Sequence, residues 1–162
     1  MINSKRSFAP LADHRVRVLV LGSLPGEQSL ALSQYYANPR NQFWRLIGEV
    51  VEQDLVSLAY DSRLEALLSC GVGLWDVVES ASRRGSLDAA IRDHRPNDLA
   101  ALVQTLPELR AVAFNGGTAA RIGQKQLAAA AVARAALPSS SPAYTLPFAE
   151  KLVAWLKLRR YL

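Results

Sequence analysis

The chain has 162 residues, half of them hydrophobic, and carries a formal net charge of +5 at pH 7. This length fits one domain of about 100 to 200 residues that can bury a core of its own. A single cysteine, Cys70, excludes an intramolecular disulfide, a cysteine-based zinc site and a four-cysteine iron–sulfur cluster.

Neither a membrane crossing nor a secretion signal is indicated by the sequence. The longest charge-free apolar run, Val18–Gly26, falls well short of the roughly 20 residues that span a bilayer. We therefore expect a protein of the reducing cytoplasm. Nineteen basic against fourteen acidic residues favour a polyanionic partner, although a merely basic surface would give the same balance.

The first half of the chain predicts one strand followed by two helices. Val16–Leu21 is an almost continuous apolar run, which is typical of a strand covered on both faces. After a turn-rich stretch, apolar residues at helical spacing predict a helix over about 41–53. Ser62 and Glu65 form a capping-box pattern for a second helix, and Gly71 is placed to end it.

The second half alternates between strands and helices. Val72–Trp75 predicts a short strand, and a helix after Ser86 is one interpretation of the charged segment 79–93. Asn97 is the expected cap of the next helix, which ends at Pro107. The remaining predicted elements are a strand at 112–114, a helix at 118–131, a strand at 132–136 and a final helix with Phe148, Leu152, Trp155 and Leu156 on one face.

This alternation predicts a parallel sheet with helices on both faces. Ligands of such sheets bind beyond the carboxyl ends of the strands. Three of the predicted strands end there in loops rich in glycine, serine or proline, at 22–26, 115–117 and 137–142. Because glycine lets backbone N–H groups approach a ligand closely, this edge suits a phosphate or a planar base.

The segment Tyr35–Trp44 is the most informative stretch of the chain. It places two aromatic residues, two amides and an arginine directly before an amphipathic helix. An aromatic face can stack on a base, and an amide can hydrogen-bond a base edge. On the local pattern alone, Asn41 can equally be a helix cap, with Phe43 and Trp44 in the core.

Taken together, these motifs resemble the uracil-DNA glycosylase superfamily, and within it the hypoxanthine-DNA (DNA-deoxyinosine) glycosylase branch. The likeness rests on residues 22–26, 35–44, 73–76, 114–116 and 137–143, which occur in the family's order. It implies an α/β/α three-layer sandwich with a central four-stranded parallel sheet. We expect one domain over 1–162 with a loose N-terminal segment at 1–14.

The resemblance also implies an activity in base-excision repair. The enzyme would act on damaged DNA, double- or single-stranded, as a monomer without a metal or a cofactor. It would flip out a deaminated base, hypoxanthine or uracil, and hydrolyse the N-glycosidic bond to leave an abasic site.

By the same resemblance, Asn41 is the catalytic amide, Asn115 is a second amide at the base, and Tyr36 stacks against the flipped base. The family usually has an Asp or Asn that orients the attacking water where this chain has Leu24. Ser139 replaces the histidine of the uracil-specific members. With no acid or imidazole at the positions of Leu24 and Ser139, we expect catalysis by placed amide and backbone donors. The implied base-binding residues are Gly22, Ser23, Leu24, Tyr36 and Phe114, and the implied DNA-binding residues are Pro25, Arg40, Ser139, Ser140, Ser141, Pro142, Ala143 and Tyr144.

Two other functions fit parts of the pattern. One is a non-catalytic nucleotide- or nucleic-acid-binding module whose loops cradle phosphate. The other is a serine hydrolase built from Ser139 or Ser141 with His94 and Asp76 or Asp93, although the chain lacks the Gly-x-Ser-x-Gly elbow of such enzymes.

Overall fold

Strands and helices alternate along the chain in the computed structural model, which describes residues 4–83 and 85–162. The strands are β1 (Ser4–Arg6), β2 (Val18–Gly22), β3 (Val72–Asp76), β4 (Val78–Ser82), β5 (Arg92–Pro96), β6 (Ala111–Asn115) and β7 (Ala133–Leu137). The helices are α1 (Glu27–Leu32), α2 (Phe43–Val51), α3 (Tyr60–Ser69), α4 (Leu99–Gln104), α5 (Gly117–Gln126) and α6 (Phe148–Leu156). Short 3-10 turns occupy Asp88–Ala90 and Lys157–Tyr161.

The centre of the fold is a parallel sheet of four strands in the order β3–β2–β6–β7. Every residue of β2 and β6 is buried, because both strands lie inside the sheet and are covered on both faces. The near-continuous apolar run that predicts β2 therefore reflects its central position. The predicted parallel sheet is confirmed.

Two hydrophobic clusters cover the two faces of this sheet. Along β2, Val18 and Val20 belong to the cluster that contains α2 and α6, whereas Leu19 and Leu21 belong to the cluster that contains α4 and α5. This alternation follows from the two-residue period of a strand. The predicted α/β/α layering is confirmed.

The order of the strands creates a crevice at one edge of the sheet. The chain leaves β2 for its neighbour β3 on one side, and it leaves β6 for its neighbour β7 on the other side. The connections after β2 and β6 thus run in opposite directions along the sheet. This leaves a crevice between the two loops, at the carboxyl ends of the strands, where a ligand can enter.

A second, antiparallel sheet in the order β1–β4–β5 was not predicted. Residues 4–14, expected to be loose, instead pair with other parts of the chain: Lys5 lies opposite Ala81, and Leu11 bridges to Leu74. The helix expected after Ser86 is wrong, since only a 3-10 turn follows it. The sheet β1–β4–β5 was missed because its short, polar strands lack the apolar alternation that a sequence pattern can detect. Residues 1–3, Arg84 and the side chain of Asp93 lie outside the described part of the structure.

Several predicted helix ends also differ from the structure. Ser62 lies inside α3, which begins at Tyr60, so the capping-box prediction is wrong. The cap of α4 is Asp98, whose carboxylate accepts from Ala101 N at 3.0 Å, because Asn97 instead donates to the Asp76 carbonyl at 2.7 Å. Helix α5 ends at Gln126 rather than 131, and α1 was not predicted.

Across the described part of the chain, the helices are too short or too polar to span a bilayer.

Gly123 tests how tightly α5 packs on the sheet. A Cβ at this position would press into the Phe114 ring and lie 2.9 Å from Val77 Cγ1. We expect Gly123→Ala to destabilise the protein by about 1–3 kcal/mol through overpacking. The matched control is Gly117→Ala at the start of the same helix, where nothing lies within 4 Å of the added carbon. Urea unfolding measures both variants, and equal stabilities would contradict this packing.

Candidate active site

A cavity of about 980 Å³ lies at the carboxyl edge of the parallel sheet. It is bordered by the loop 22–26 after β2, by residues 115–118 at the start of α5, and by the loop 139–144 after β7. The prediction that the three strand-end loops converge is confirmed. Residues 35–41, which precede α2, close a further side of the cavity.

The side-chain amide of Asn115 ties these loops together. Its Oδ1 accepts from Ser140 N at 2.9 Å, and its Nδ2 donates to Ser140 Oγ at 2.9 Å and to Tyr36 Oη at 3.3 Å. Both amide hydrogens are therefore used within the protein. Asn115 is only 7% exposed, and this geometry makes it an organiser of the site with a single lone pair on Oδ1 left for a ligand.

The loop after β7 is held rigidly from three directions. The Ser140 carbonyl accepts from Gln42 N at 3.0 Å, and the Pro138 carbonyl accepts from Trp155 Nε1 at 3.0 Å. Lys151 Nζ donates to the Ser141 carbonyl at 3.3 Å. Ser140 is buried, and its N–H, carbonyl and Oγ all bond to other protein groups, so it shapes the loop beside the cavity.

Asn41 combines the two roles that the sequence leaves open. Its Oδ1 accepts from Phe43 N at 3.0 Å and so satisfies a free N–H at the start of α2. Its Nδ2 has no acceptor among the described residues, and the side chain borders the cavity. One half of the amide thus fixes the helix start while the other half can donate to a ligand.

Tyr36 is held in an unusual conformation beside Asn41. Its backbone φ of 54° lies in the left-handed region that non-glycine residues seldom adopt. Its ring stacks on Phe43 with 3.9 Å between centroids, so only the opposite face remains for a base. Burial raises the pKa of the Tyr36 hydroxyl, and the charge of Asp76 raises it further.

Asp76, the last residue of β3, is the main site residue that sequence reasoning missed. It is 4% exposed, borders the cavity, and has an Oδ2 atom with no hydrogen-bond partner in the described structure. Burial raises its pKa to about 7, the nearby charge of Asp88 raises it, and the Arg83 guanidinium lowers it. The useful signal was its position at the carboxyl end of a strand paired with β2.

A second acid, Asp88, borders the same cavity. Its Oδ1 accepts from Ser23 Oγ at 2.6 Å, and burial raises its pKa. The buried Arg83 guanidinium donates to the carbonyls of Leu24, Pro25 and Gly85, which fixes the loop after β2. Two acids, Asp76 and Asp88, therefore border the cavity, although the expected catalysis by amide and backbone donors uses neither.

Gly22 is required where the site is most crowded. A Cβ built on Gly22 would lie 2.7 Å from Asp76 Oδ1 and 2.9 Å from Tyr36 Oη. These two polar atoms therefore converge on the space above the Gly22 backbone. Any side chain at this position would fill that space.

The outer rim of the cavity is polar, basic and partly aromatic. Exposed residues at the rim include Arg40, Pro142, Ala143, Tyr144 and Arg121. Tyr144 is 48% exposed, and the Lys151 ammonium lies 5.5 Å from the centre of its ring.

Nearly all of the predicted site residues border this cavity. The exception is Phe114, whose fully buried ring packs in the second hydrophobic cluster against Gly123. Leu24 borders the cavity but is 6% exposed and packs in the same cluster. His94 is exposed on β5 and does not border the cavity, so the geometry does not support a serine hydrolase triad.

Within the described ranges, no three His, Cys, Asp or Glu side chains are grouped as metal ligands would be.

Comparison with known proteins relates the whole fold to DNA repair. A family model described as the uracil DNA glycosylase superfamily matches residues 9–160. Two proteins named hypoxanthine DNA glycosylase, from Methanosarcina acetivorans and Methanosarcina barkeri, are 43% and 44% identical over 112 residues, which cover 69% of this chain and 71% of each relative. The solution NMR structure of a candidate uracil DNA glycosylase from Methanosarcina acetivorans is similar, with a TM-score of 0.88, 37% identity and 98% coverage of both chains.

The buried carboxyl of Asp76 makes stability depend on pH. Its folded pKa of about 7 lies above the ordinary value of 3.8, so between these values the folded state holds a proton that the unfolded state releases. Raising the pH through this window therefore destabilises the folded state, by about 1.4 kcal/mol for each unit of pKa difference. Asp76→Asn should remove this loss, so that its stability relative to the wild type increases from about pH 4 to about pH 8. Urea unfolding at both pH values measures the difference, and a pH-independent difference would contradict the burial of a protonated Asp76.

Proposed function

The chain belongs to the uracil DNA glycosylase superfamily, and from this premise we propose that it excises hypoxanthine from DNA. The reaction is hydrolysis of the N-glycosidic bond, which leaves an abasic site. One observation carries the proposal: the free half of the Asn41 amide, one face of Tyr36 and the Asp76 carboxyl all border a single cavity at the edge of the sheet. The names of the two Methanosarcina relatives support hypoxanthine as the base.

The cavity suits a base that has left the double helix. Pockets for small ligands measure about 300–1,000 Å³, and this cavity has about 980 Å³. A base inside a duplex cannot expose its glycosidic bond to such a pocket, so the nucleotide must rotate out at a cost of a few kcal/mol. Deamination of adenine to hypoxanthine weakens pairing with thymine, and this lowers the cost for the damaged base.

The Asn41 amide acts on the charge that the reaction develops. As the C1′–N9 bond breaks, positive charge grows on the sugar and negative charge on the departing purine. The Nδ2 donor of Asn41 is held in place because Oδ1 is bonded to Phe43 N. A fixed donor of this kind stabilises the anionic base without first having to reorganise.

Tyr36 and the rim complete the recognition of DNA. The free face of the Tyr36 ring offers a stacking surface for the flipped base, since its other face is covered by Phe43. At the mouth, Arg40 and Arg121 supply positive charge for phosphates. The exposed Tyr144 is placed to enter the gap that the base leaves in the stack.

The proposal is tested by incubating the protein with DNA that carries one deoxyinosine or one deoxyuridine, in duplex and in single-stranded form. Alkali then cuts each abasic site, and single-turnover rates compare the four substrates. Release of hypoxanthine is the expected result. Binding without strand breaks would overturn the proposal in favour of a non-catalytic module, and release of uracil alone would overturn the assigned base.

Two substitutions at Asn41 separate its catalytic role from its role at the helix start. Asn41→Asp keeps an oxygen that can accept from Phe43 N but removes the N–H donor, so the fold should be retained. We expect base release to fall by about 100- to 1,000-fold, the usual effect of losing one placed donor. Asn41→Ala should lose activity as fully and also lose stability. Near-normal rates for Asn41→Asp, measured in the same single-turnover assay, would remove this amide from the chemistry.

Tyr144→Ala tests whether Tyr144 acts as a wedge, that is, whether its ring fills the gap that the flipped base leaves in the stack. The wedge should matter only where a stacked helix must be opened, so we expect base release from the duplex to slow by about tenfold while the single strand is little affected, an effect of ~1.4 kcal/mol. Val153→Ala is the matched control, because Val153 is 65% exposed on α6 and does not border the cavity. Equal losses on both substrates would show that Tyr144 has another role.

A further inference from the structure

We propose that Asp76 holds the water molecule that attacks the sugar and takes a proton from it. This inference rests on the proposed function and adds a catalytic carboxylate to the same site. Asp76, at the end of β3, would orient the attacking water. The loop after β2, where the family usually has the residue for this role, has the apolar Leu24.

Asp76 ends the strand that pairs with β2. Its Cα is the register partner of Gly22 in the neighbouring strand, so its side chain emerges beside the loop that contains Leu24. The Leu24 side chain is apolar and packs in the second hydrophobic cluster, so it has no atom that could orient a water molecule. Asp76 ends the neighbouring strand β3, carries two carboxyl oxygens and borders the same cavity.

Asp76 is buried, yet its carboxyl is not tied to the fold by a hydrogen bond at Oδ2, which has no partner in the described structure. A buried carboxylate that serves the fold is normally paired or fully hydrogen-bonded, since an unpaired one costs several kcal/mol. An unpartnered acid that faces a ligand cavity is instead typical of an active site.

Asp76 Oδ1 and Tyr36 Oη lie close together beside Gly22, since both are within 3 Å of a Cβ built on this residue. Asn115 Nδ2 donates to Tyr36 Oη, which leaves the phenolic hydrogen free to donate elsewhere. A water molecule in the adjoining cavity, which both residues border, can accept from Tyr36 and donate to Asp76. Its second lone pair then remains free for the sugar, and Tyr36 and Asn115 serve as positioning residues.

The step conserves every atom and charge. The water oxygen forms a bond to C1′ as the C1′–N9 bond breaks, and the bonding pair leaves with the purine. The water proton passes to the Asp76 carboxylate. The purine anion then takes up a proton, which returns Asp76 to its charged form when that proton comes from its carboxyl. The products are free hypoxanthine and the abasic sugar.

The charged and titratable groups around Asp76 define the expected pH dependence. Asp88 on the 3-10 turn raises the pKa of Asp76, and Arg83 after β4 lowers it, while burial is the largest cause of the rise to about 7. The phenols of Tyr35 and Tyr36 before α2 stay protonated, because burial and the charge of Asp76 raise their pKa values. Only the charged form of Asp76 can accept a proton, so the rate should rise with pH and level off above about 7.

The experiment compares single-turnover excision of hypoxanthine by wild type, Asp76→Asn and Asp98→Asn from about pH 5 to about pH 9. Asp98→Asn makes the same chemical change at the exposed cap of α4, outside the cavity, and should behave as wild type. Asp76→Asn should lower the plateau rate by about 100- to 10,000-fold and abolish the rise with pH. Its affinity for deoxyinosine DNA should be unchanged, which a merely structural effect on the site would not produce.

Three results would overturn the inference. A wild-type rate that is flat across this range removes the titrating base without the need for any variant. An Asp76→Asn rate within about threefold of wild type, or one that keeps the same rise with pH, removes Asp76 itself. If the wild type releases no hypoxanthine at any pH, both the proposed function and this inference are wrong. If the wild type is active and Asp76→Asn is equally active, only this inference is wrong.

Discussion

The site depends on one side-chain amide, that of Asn115, at the end of β6. Its three hydrogen bonds join the sheet to Ser140 and to Tyr36. Ser140 in turn accepts from Gln42 N at the start of α2. Three segments that are far apart in sequence are thereby held at fixed distances around the cavity. Because every link in this chain is a directional hydrogen bond in a buried setting, the cavity is shaped before any ligand arrives.

The same region carries an electrostatic cost that the rest of the fold must offset. Asp76 is buried and Asp88 is half-buried, both have raised pKa values, and the charge of Asp88 adds to the rise at Asp76. The positive charge of the Arg83 guanidinium lowers the pKa of both acids, but the hydrogen bonds of this group go to backbone carbonyls of the loop 22–26 and of Gly85. Stability would be better served by apolar residues at these positions. Acids that destabilise the fold and border its cavity are more typical of catalytic residues than of structural ones.

Much of the fold could be predicted because the central elements are covered on both faces. Strands β2, β3, β6 and β7 and helices α2 and α6 are marked by apolar runs or by helical spacing, and these patterns record burial directly. The sheet β1–β4–β5 could not be found in this way. Its strands are short and polar, and they are stabilised by pairing with one another and by contacts such as Lys5 Nζ to the Gly85 carbonyl at 2.8 Å. Those contacts depend on tertiary structure that local sequence does not contain.

The sequence and the family resemblance predicted which loops form the site, but they did not predict the individual role of each residue in those loops. They placed Asn41, Tyr36 and Asn115 together, and the structure brings all three to one cavity. They could not show that Asn115 uses both of its amide hydrogens within the protein, or that Ser140 is buried. They gave Asp76 a role only in the serine hydrolase alternative, because its burial arises from tertiary contacts that local sequence does not contain.

The register between β2 and β3 places the carboxyl of Asp76 beside the loop after β2, where the family usually has its water-orienting residue. Gly22 and Asp76 are directly paired, and neighbouring strands lie only about 4.8 Å apart. An acid at the end of β3 therefore emerges about one strand spacing from the chain that leads into the loop after β2. Gly22 keeps the space between them open, since any Cβ there would fill it. On this argument the apolar Leu24 and the buried Asp76 belong to one arrangement, in which the loop contributes packing and the neighbouring strand contributes the charge.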